Sequence, residues 1–177
     1  MSLQFLLDGL ISGAMIGLGA IGVTLTYSIL RFSNFAHGDL MAWGAYAALV
    51  AVGALGAIAG GPMAIGALSF GLPLILSTLF AMVFTAGLAL LLDWLLFARL
   101  RARGQAIIVV MASFGASMAL RNLLEFLFSS SPAYYSRALQ IAQPIGLGIR
   151  ITPDQVALLV MTAALVTGMH LFLTRSQ

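Results

Sequence analysis

The chain has no cysteine and no lysine, and of its 177 residues only eight Arg and five Asp or Glu carry a formal charge. A soluble domain of this length would carry roughly 44 charged residues, about a quarter of the chain. The missing charge leaves too little polar surface to cover a water-soluble globule. A cytosolic enzyme and a disordered chain are thereby excluded. Without Cys there are no disulfides and no thiolate metal sites. Without Lys there is no phosphate-loop lysine. The net charge of +3 includes no basic cluster wide enough to track a phosphate backbone, so nucleic acid is excluded as a partner. What is present is 62% hydrophobic. The chain reads as all-α, a polytopic integral membrane helix bundle that meets the lipid bilayer directly.

Charges punctuate the sequence, and the stretches between them set the spans. Residues 9–30 are 22 uncharged residues, about 33 Å of helix, enough to cross the hydrocarbon core. Leu40 to Leu92 is 53 uncharged residues, which suits two spans and a link. Gly60-Gly61-Pro62 and Gly71-Leu72-Pro73 put that link near 60–72. A fourth span covers 104–128, crossing the polar pair Arg121-Asn122. The last is 155–174, opened by Thr152-Pro153-Asp154-Gln155, a capping box with Pro at the first helical position. The expectation is five spans, roughly 9–30, 40–60, 72–92, 104–128 and 155–174, in one membrane-embedded domain. Barrel strands would alternate apolar with polar, and these stretches are apolar all round. Asp8, Asp93 and His170 lie near span ends and read as interfacial anchors.

Arg99, Arg101 and Arg103 form the densest positive cluster, which belongs inside. Alternation then puts Arg31 and the C-terminal Arg175 inside as well. The N-terminus, the 60–72 link and the 129–154 connection, with Arg121, Arg137 and Arg150, fall outside.

Gly17-Leu18-Gly19-Ala20-Ile21-Gly22 matches a dinucleotide-binding pattern, but it sits inside an apolar run with no strand before it. Helix contact explains these glycines better. Gly9, Gly13 and Gly17 recur every four residues, and small residues let membrane helices approach closely. Gly44 with Ala48 and Gly115 with Ala119 follow the same spacing.

The densest polar stretch is Arg31-Phe32-Ser33-Asn34-Phe35-Ala36-His37-Gly38-Asp39. One reading is a turn at the inner face, with Asn34 or Asp39 capping the next helix and Arg31 snorkelling. The other is a broken membrane segment whose polar groups line a pathway. One His with one Asp supplies too few ligands for a metal. Arg121 and Glu125, four residues apart, fall on one helix face and can pair, as a structural pair near the outer interface or as part of a pathway. No catalytic spacing is present, so an enzyme acting alone is not expected.

Residues 17–48, and within them Asn34-Phe35-Ala36-His37-Gly38 followed by an acid, a Met and Gly44-Ala45-Tyr46, resemble the signature region of the membrane permease of branched-chain amino acid ABC importers, the LivH family. The resemblance continues through 98–124, where such permeases have an Arg-rich inner loop and then a Gly-containing span. Ala98 stands there where a Pro is expected. Family members are longer, so the chain is expected to be the N-terminal portion of such a permease, without the family's C-terminal part. The resemblance implies a subunit of a bacterial inner-membrane importer for hydrophobic, branched-chain amino acids. Its implied partners are a second permease subunit, two cytoplasmic ATPase subunits and a periplasmic binding protein, with no cofactor of its own. Asn34, His37, Gly38 and Asp39, then Arg121 and Glu125, are the candidate pathway residues. Asn34 and His37 would hydrogen-bond backbone or substrate, Gly38 would permit the break, and Asp39 would cap the following helix. Two alternatives stay open: a permease of the same family for an amide or urea, and a truncated or non-transporting membrane scaffold.

Overall fold

A computed structural model describes residues 3–59, 71–102, 106–129, 131–135, 142–146 and 149–175. The elements are α1 (Leu3–Leu30), α2 (His37–Ala59), α3 (Leu72–Leu92), a π-turn (Asp93–Phe97), α4 (Ala98–Arg101), α5 (Ala106–Phe128), β1 (Gln143–Gly146), β2 (Ile149–Ile151) and α6 (Pro153–Arg175). Five helical stretches among the described residues are long and apolar enough to cross a membrane. The protein is an all-α membrane bundle, and its surface says so: Phe126 is 85% exposed and Ile58 83%. In water, side chains of that size would be buried.

Several boundaries differ from those read off the charges. α1 begins at Leu3 rather than Gly9, so Asp8 lies inside the helix, where the Gln4 side-chain amide donates to its Oδ1 at 3.0 Å. The third span does not stop at Leu92 but continues through the π-turn to Arg101. Asp93 fails to end it because its carboxylate has a partner on the same helix: Arg101 Nη2 donates to Oδ2 at 2.9 Å, and Nη1 meets Oδ1 at 2.7 Å. Eight α-helical steps would leave Arg101 about 80° off the face of Asp93. The π-turn absorbs one residue, so seven effective steps return it to within about 20°. Arg99 lies over the Trp94 ring, 5.8 Å from its centroid.

The link at 60–72 lies outside the described residues except for Gly71 and Leu72. Within the expected 129–154 connection the chain forms a short antiparallel hairpin, with Gln143 opposite Ile151, Pro144 opposite Arg150 and Gly146 opposite Ile149. The β-branched alternation Ile149-Arg150-Ile151 supplies the strand preference. α6 opens on the reciprocal cap: Gln155 Oε1 accepts from the Thr152 N–H at 2.9 Å, and Thr152 Oγ1 from the Gln155 N–H at 3.4 Å.

The chain divides into two compact units. The first holds α1 up to Gly22, the hairpin and α6. In it the Gln4 side chain clasps the backbone of β2: its Oε1 accepts from the Arg150 N–H at 2.9 Å, and its Nε2 donates to the Arg150 carbonyl at 3.2 Å. The second holds the rest of α1 with α2, α3, the π-turn, α4 and α5. Its core is two small clusters. Phe32, Phe97 and Val109 form one, with the Phe32 and Phe97 rings 5.5 Å apart. Ala36, Leu40 and Leu120 form the other. α5 buries a single stripe, Val109, Ser113, Leu120 and Leu124, the spacing of one helical face.

α2 and α3 approach closely at Gly44, where an added Cβ would lie 2.5 Å from Thr85 Oγ1. At Gly9, Gly13, Gly17 and Gly115 an added Cβ would meet nothing within 4 Å. Overpacking a close contact costs about 1–3 kcal/mol. Gly44→Ala is therefore expected to lower the thermal unfolding midpoint in mild detergent, and Thr85→Ala to restore it, since the remaining Thr85 Cβ is 3.7 Å from the new methyl. Additive losses in the double variant would contradict this packing.

Candidate functional site

The break between α1 and α2 is built by side chains and backbone together. α1 ends on Arg31, at φ 59°, whose N–H donates to the Tyr27 carbonyl at 2.9 Å. A left-handed residue here closes the helix in the way a C-terminal glycine usually does. Asn34 then forms an Asx-turn: its Oδ1 accepts from the Ala36 N–H at 3.1 Å, and its carbonyl from the His37 N–H at 3.3 Å. The side-chain cap at the start of α2 is thus Asn34. Asp39 lies in the first turn of α2, where the helix dipole favours an acid. Its carboxylate, expected as a cap, takes a short hydrogen bond from the Ser117 hydroxyl of α5.

α5 also grips the break upstream of Asp39. Ser113 is fully buried, and its Oγ accepts from the Phe35 N–H at 3.2 Å. Its own proton is directed to the Val110 carbonyl at 2.7 Å, with the Ser33 carbonyl 3.4 Å away. One turn beyond Ser117, the Leu120 carbonyl accepts from the Trp43 indole N–H at 3.0 Å. Aromatic contacts hold the same region: Phe35 meets Phe114 edge to face, with centroids 6.2 Å apart.

Beside the break is an open cavity of about 440 Å³ lined by Val23, Thr24, Tyr27, Ser33, Asn34, Phe35, His37 and Gly38. That volume falls within the roughly 300–1,000 Å³ of small-molecule sites. The wall mixes apolar side chains with a phenol, hydroxyls, an amide and an imidazole, which suits a small molecule with a polar end and an apolar end. Asn34, His37 and Gly38 are brought together there. Asp39 instead takes part in the α2–α5 contact. Arg121 and Glu125 form a long pair on α5, Nε to Oε1 3.8 Å, with side chains 75% and 56% exposed. They are not among the residues lining this cavity. Among the described residues no group of three or more His, Cys, Asp or Glu could hold a metal ion.

Ser113 and Ser117 escaped the sequence reading. Their signal is a pair of hydroxyls four residues apart on an apolar helix, which places both on one face. A second, smaller cavity of about 150 Å³ lies against Ala45, Tyr46, Leu49, Ala133 and Tyr135. Tyr135 donates its hydroxyl to the Ala45 carbonyl at 2.7 Å, and burial pushes its phenol above the ordinary value.

A family model described as the permease component of the branched-chain amino acid transport system matches residues 5–177. The chain is also similar to the high-affinity branched-chain amino acid transport system permease protein BraD of Pseudomonas aeruginosa PAO1. The two are 26% identical over 179 residues, covering 99% of this chain and 56% of the relative. The chain therefore spans about half the length of the curated relative it matches. No solved structure matches it.

A hydrogen bond to a charged group contributes roughly 1.5–3 kcal/mol, and removing one partner leaves the other stranded. Ser117→Ala is expected to cost stability in that range, and Asp39→Leu alone to destabilise less. Adding Asp39→Leu to Ser117→Ala should recover much of the loss, because both polar partners are then gone. Chemical unfolding of the four variants in detergent reads the coupling. Zero coupling energy would mean that the contact contributes nothing.

Proposed function

Because this chain belongs to the family of permease components of branched-chain amino acid transport systems, we propose that it forms the N-terminal portion of an ABC-importer permease in the bacterial inner membrane. Its cargo in this reading is a branched-chain, hydrophobic amino acid. The family match over residues 5–177 carries the reading, and five membrane-length helices support it. The similarity to BraD, itself described as a high-affinity branched-chain amino acid permease, supports the cargo. In this scheme a periplasmic binding protein delivers the substrate to a pair of permease subunits, and two cytoplasmic ATPases drive the cycle. The permease binds no nucleotide. The Arg-rich 99–103 segment and Arg175 face the cytoplasm, the N-terminus faces the periplasm, and the whole chain acts as one membrane domain.

The pathway runs past the break between α1 and α2. Asn34 and His37 supply hydrogen-bonding groups, Gly38 keeps the mouth of the cavity free of a side chain, and Asp39 holds the wall through Ser117. Arg121 and Glu125 lie further along α5 and bear on the route at its outer end. The apolar wall of Val23 and Phe35 suits an aliphatic side chain better than urea, which has none.

The gene expressed with its native flanking sequence, and purified by a tag in mild detergent, should bring down a second permease and two ATPases. Membranes containing the complex should take up radiolabelled leucine. Asn34→Ala and His37→Ala are each expected to cut that uptake at least about tenfold, the rate equivalent of one lost hydrogen bond. Normal uptake by both variants would remove them from the pathway and leave Asn34 as a helix cap. A chain that purifies without any ATPase would favour the scaffold reading.

A further inference from the structure

Asn34 projects from a stretch whose backbone is held on both sides by one atom of another helix. The Phe35 N–H donates to Ser113 Oγ at 3.2 Å, and the Ser33 carbonyl stands 3.4 Å from the same oxygen. One turn further along α5, Ser117 holds Asp39, two residues after His37. A turn beyond that, the Leu120 carbonyl holds the Trp43 indole. Three successive contacts at 113, 117 and 120 run along one face of α5 and follow the chain from Ser33 to Trp43. Neither serine lines the cavity, whose wall they hold. We propose that Ser113 and Ser117 are positioning residues, through which α5 sets where Asn34 and His37 stand in the cavity wall.

The chemistry at Ser113 makes this more than a static brace. Its hydroxyl accepts from Phe35 whichever way its single proton points. That proton has two acceptors within reach, the Val110 carbonyl of its own helix at 2.7 Å and the Ser33 carbonyl across the contact at 3.4 Å. A small shift of α5 toward the break would pass the proton from the Val110 carbonyl to the Ser33 carbonyl, so the hydroxyl has an acceptor in either position. The position of α5 is thereby read out at Ser33 and Phe35, the two neighbours of Asn34.

The proposal rests on the permease reading, so its test uses the complete permease co-expressed with its transport partners. Leucine uptake at saturating substrate is measured in membranes and normalised to the amount of assembled complex. Ser113→Ala and Ser117→Ala are expected to lower this normalised rate by about tenfold, the equivalent of one hydrogen bond. Ser117→Thr, which keeps the hydroxyl, should restore it. Leu124→Ala, buried on the same stripe but away from the break, should reduce the amount of complex without changing the normalised rate. Should Ser113→Ala fail to assemble, Ser113→Cys, close to it in size and weaker as a hydrogen-bonding group, carries the same readout. Normalised rates equal to wild type for the serine variants would overturn the proposal and leave both residues as packing alone. A wild-type complex that assembles with its ATPases yet takes up no branched-chain amino acid would overturn the proposed cargo. A chain that assembles with no ATPase would overturn the permease reading. Either result would overturn the positioning role as stated.

Discussion

A helix that stops among apolar neighbours leaves peptide groups that water cannot reach, and each must find a partner in the protein. Between Leu30 and His37 the second unit meets that demand almost residue by residue. Arg31 closes α1 on Tyr27, Asn34 caps the start of α2, and Ser113 reaches across from α5 to Phe35. The packing follows from the same segment. Phe32 enters the cluster with Phe97 and Val109, and Ala36 enters the other with Leu40 and Leu120. Because the partner that reaches the break from another helix, Ser113, belongs to α5, and Val109 and Leu120 of the same helix enter the two clusters, the polar and apolar contacts fix the same pair of neighbours.

The helices were legible in the sequence because charge is scarce. Thirteen charged positions divide the chain, and the uncharged runs between them have the length of a membrane crossing. The Thr152–Gln155 capping box was equally plain, since four consecutive residues specify it. The boundaries were harder where a charge has a partner. Asp8 and Asp93 looked like span ends, yet one accepts from Gln4 within α1 and the other pairs with Arg101 around the π-turn. A π-turn has no pattern of its own in a run of Leu, Trp and Phe. The hairpin was missed because its strands are only four and three residues long.

The candidate site was legible as a cluster and not as an arrangement. Asn34, His37 and Gly38 stand out as polar or small residues between two apolar runs, and they share one cavity. The division of labour between Asn34 and Asp39 was hidden, because both are good caps by residue type and only the fold brings Ser117 to Asp39. Ser113 and Ser117 were hidden for a related reason. A serine in a membrane helix can bond its own backbone four residues back, as Ser77 does to the Pro73 carbonyl. Sequence alone does not tell such a serine from one that holds a neighbouring chain.

The π-turn at Asp93–Phe97 is the place where this helix is one residue longer than regular geometry requires. A change of length should therefore be tolerated in one direction only. Losing the half-exposed Leu95 would let the turn relax to ordinary α-geometry, with Arg101 still above Asp93. Gaining a residue between Asp93 and Arg101 would instead swing Arg101 by about 100°, because the slack of the turn is already spent, and would strand both charges of the pair. A one-residue deletion that would misalign most membrane helices is absorbed by these five residues, while an insertion of the same size is not.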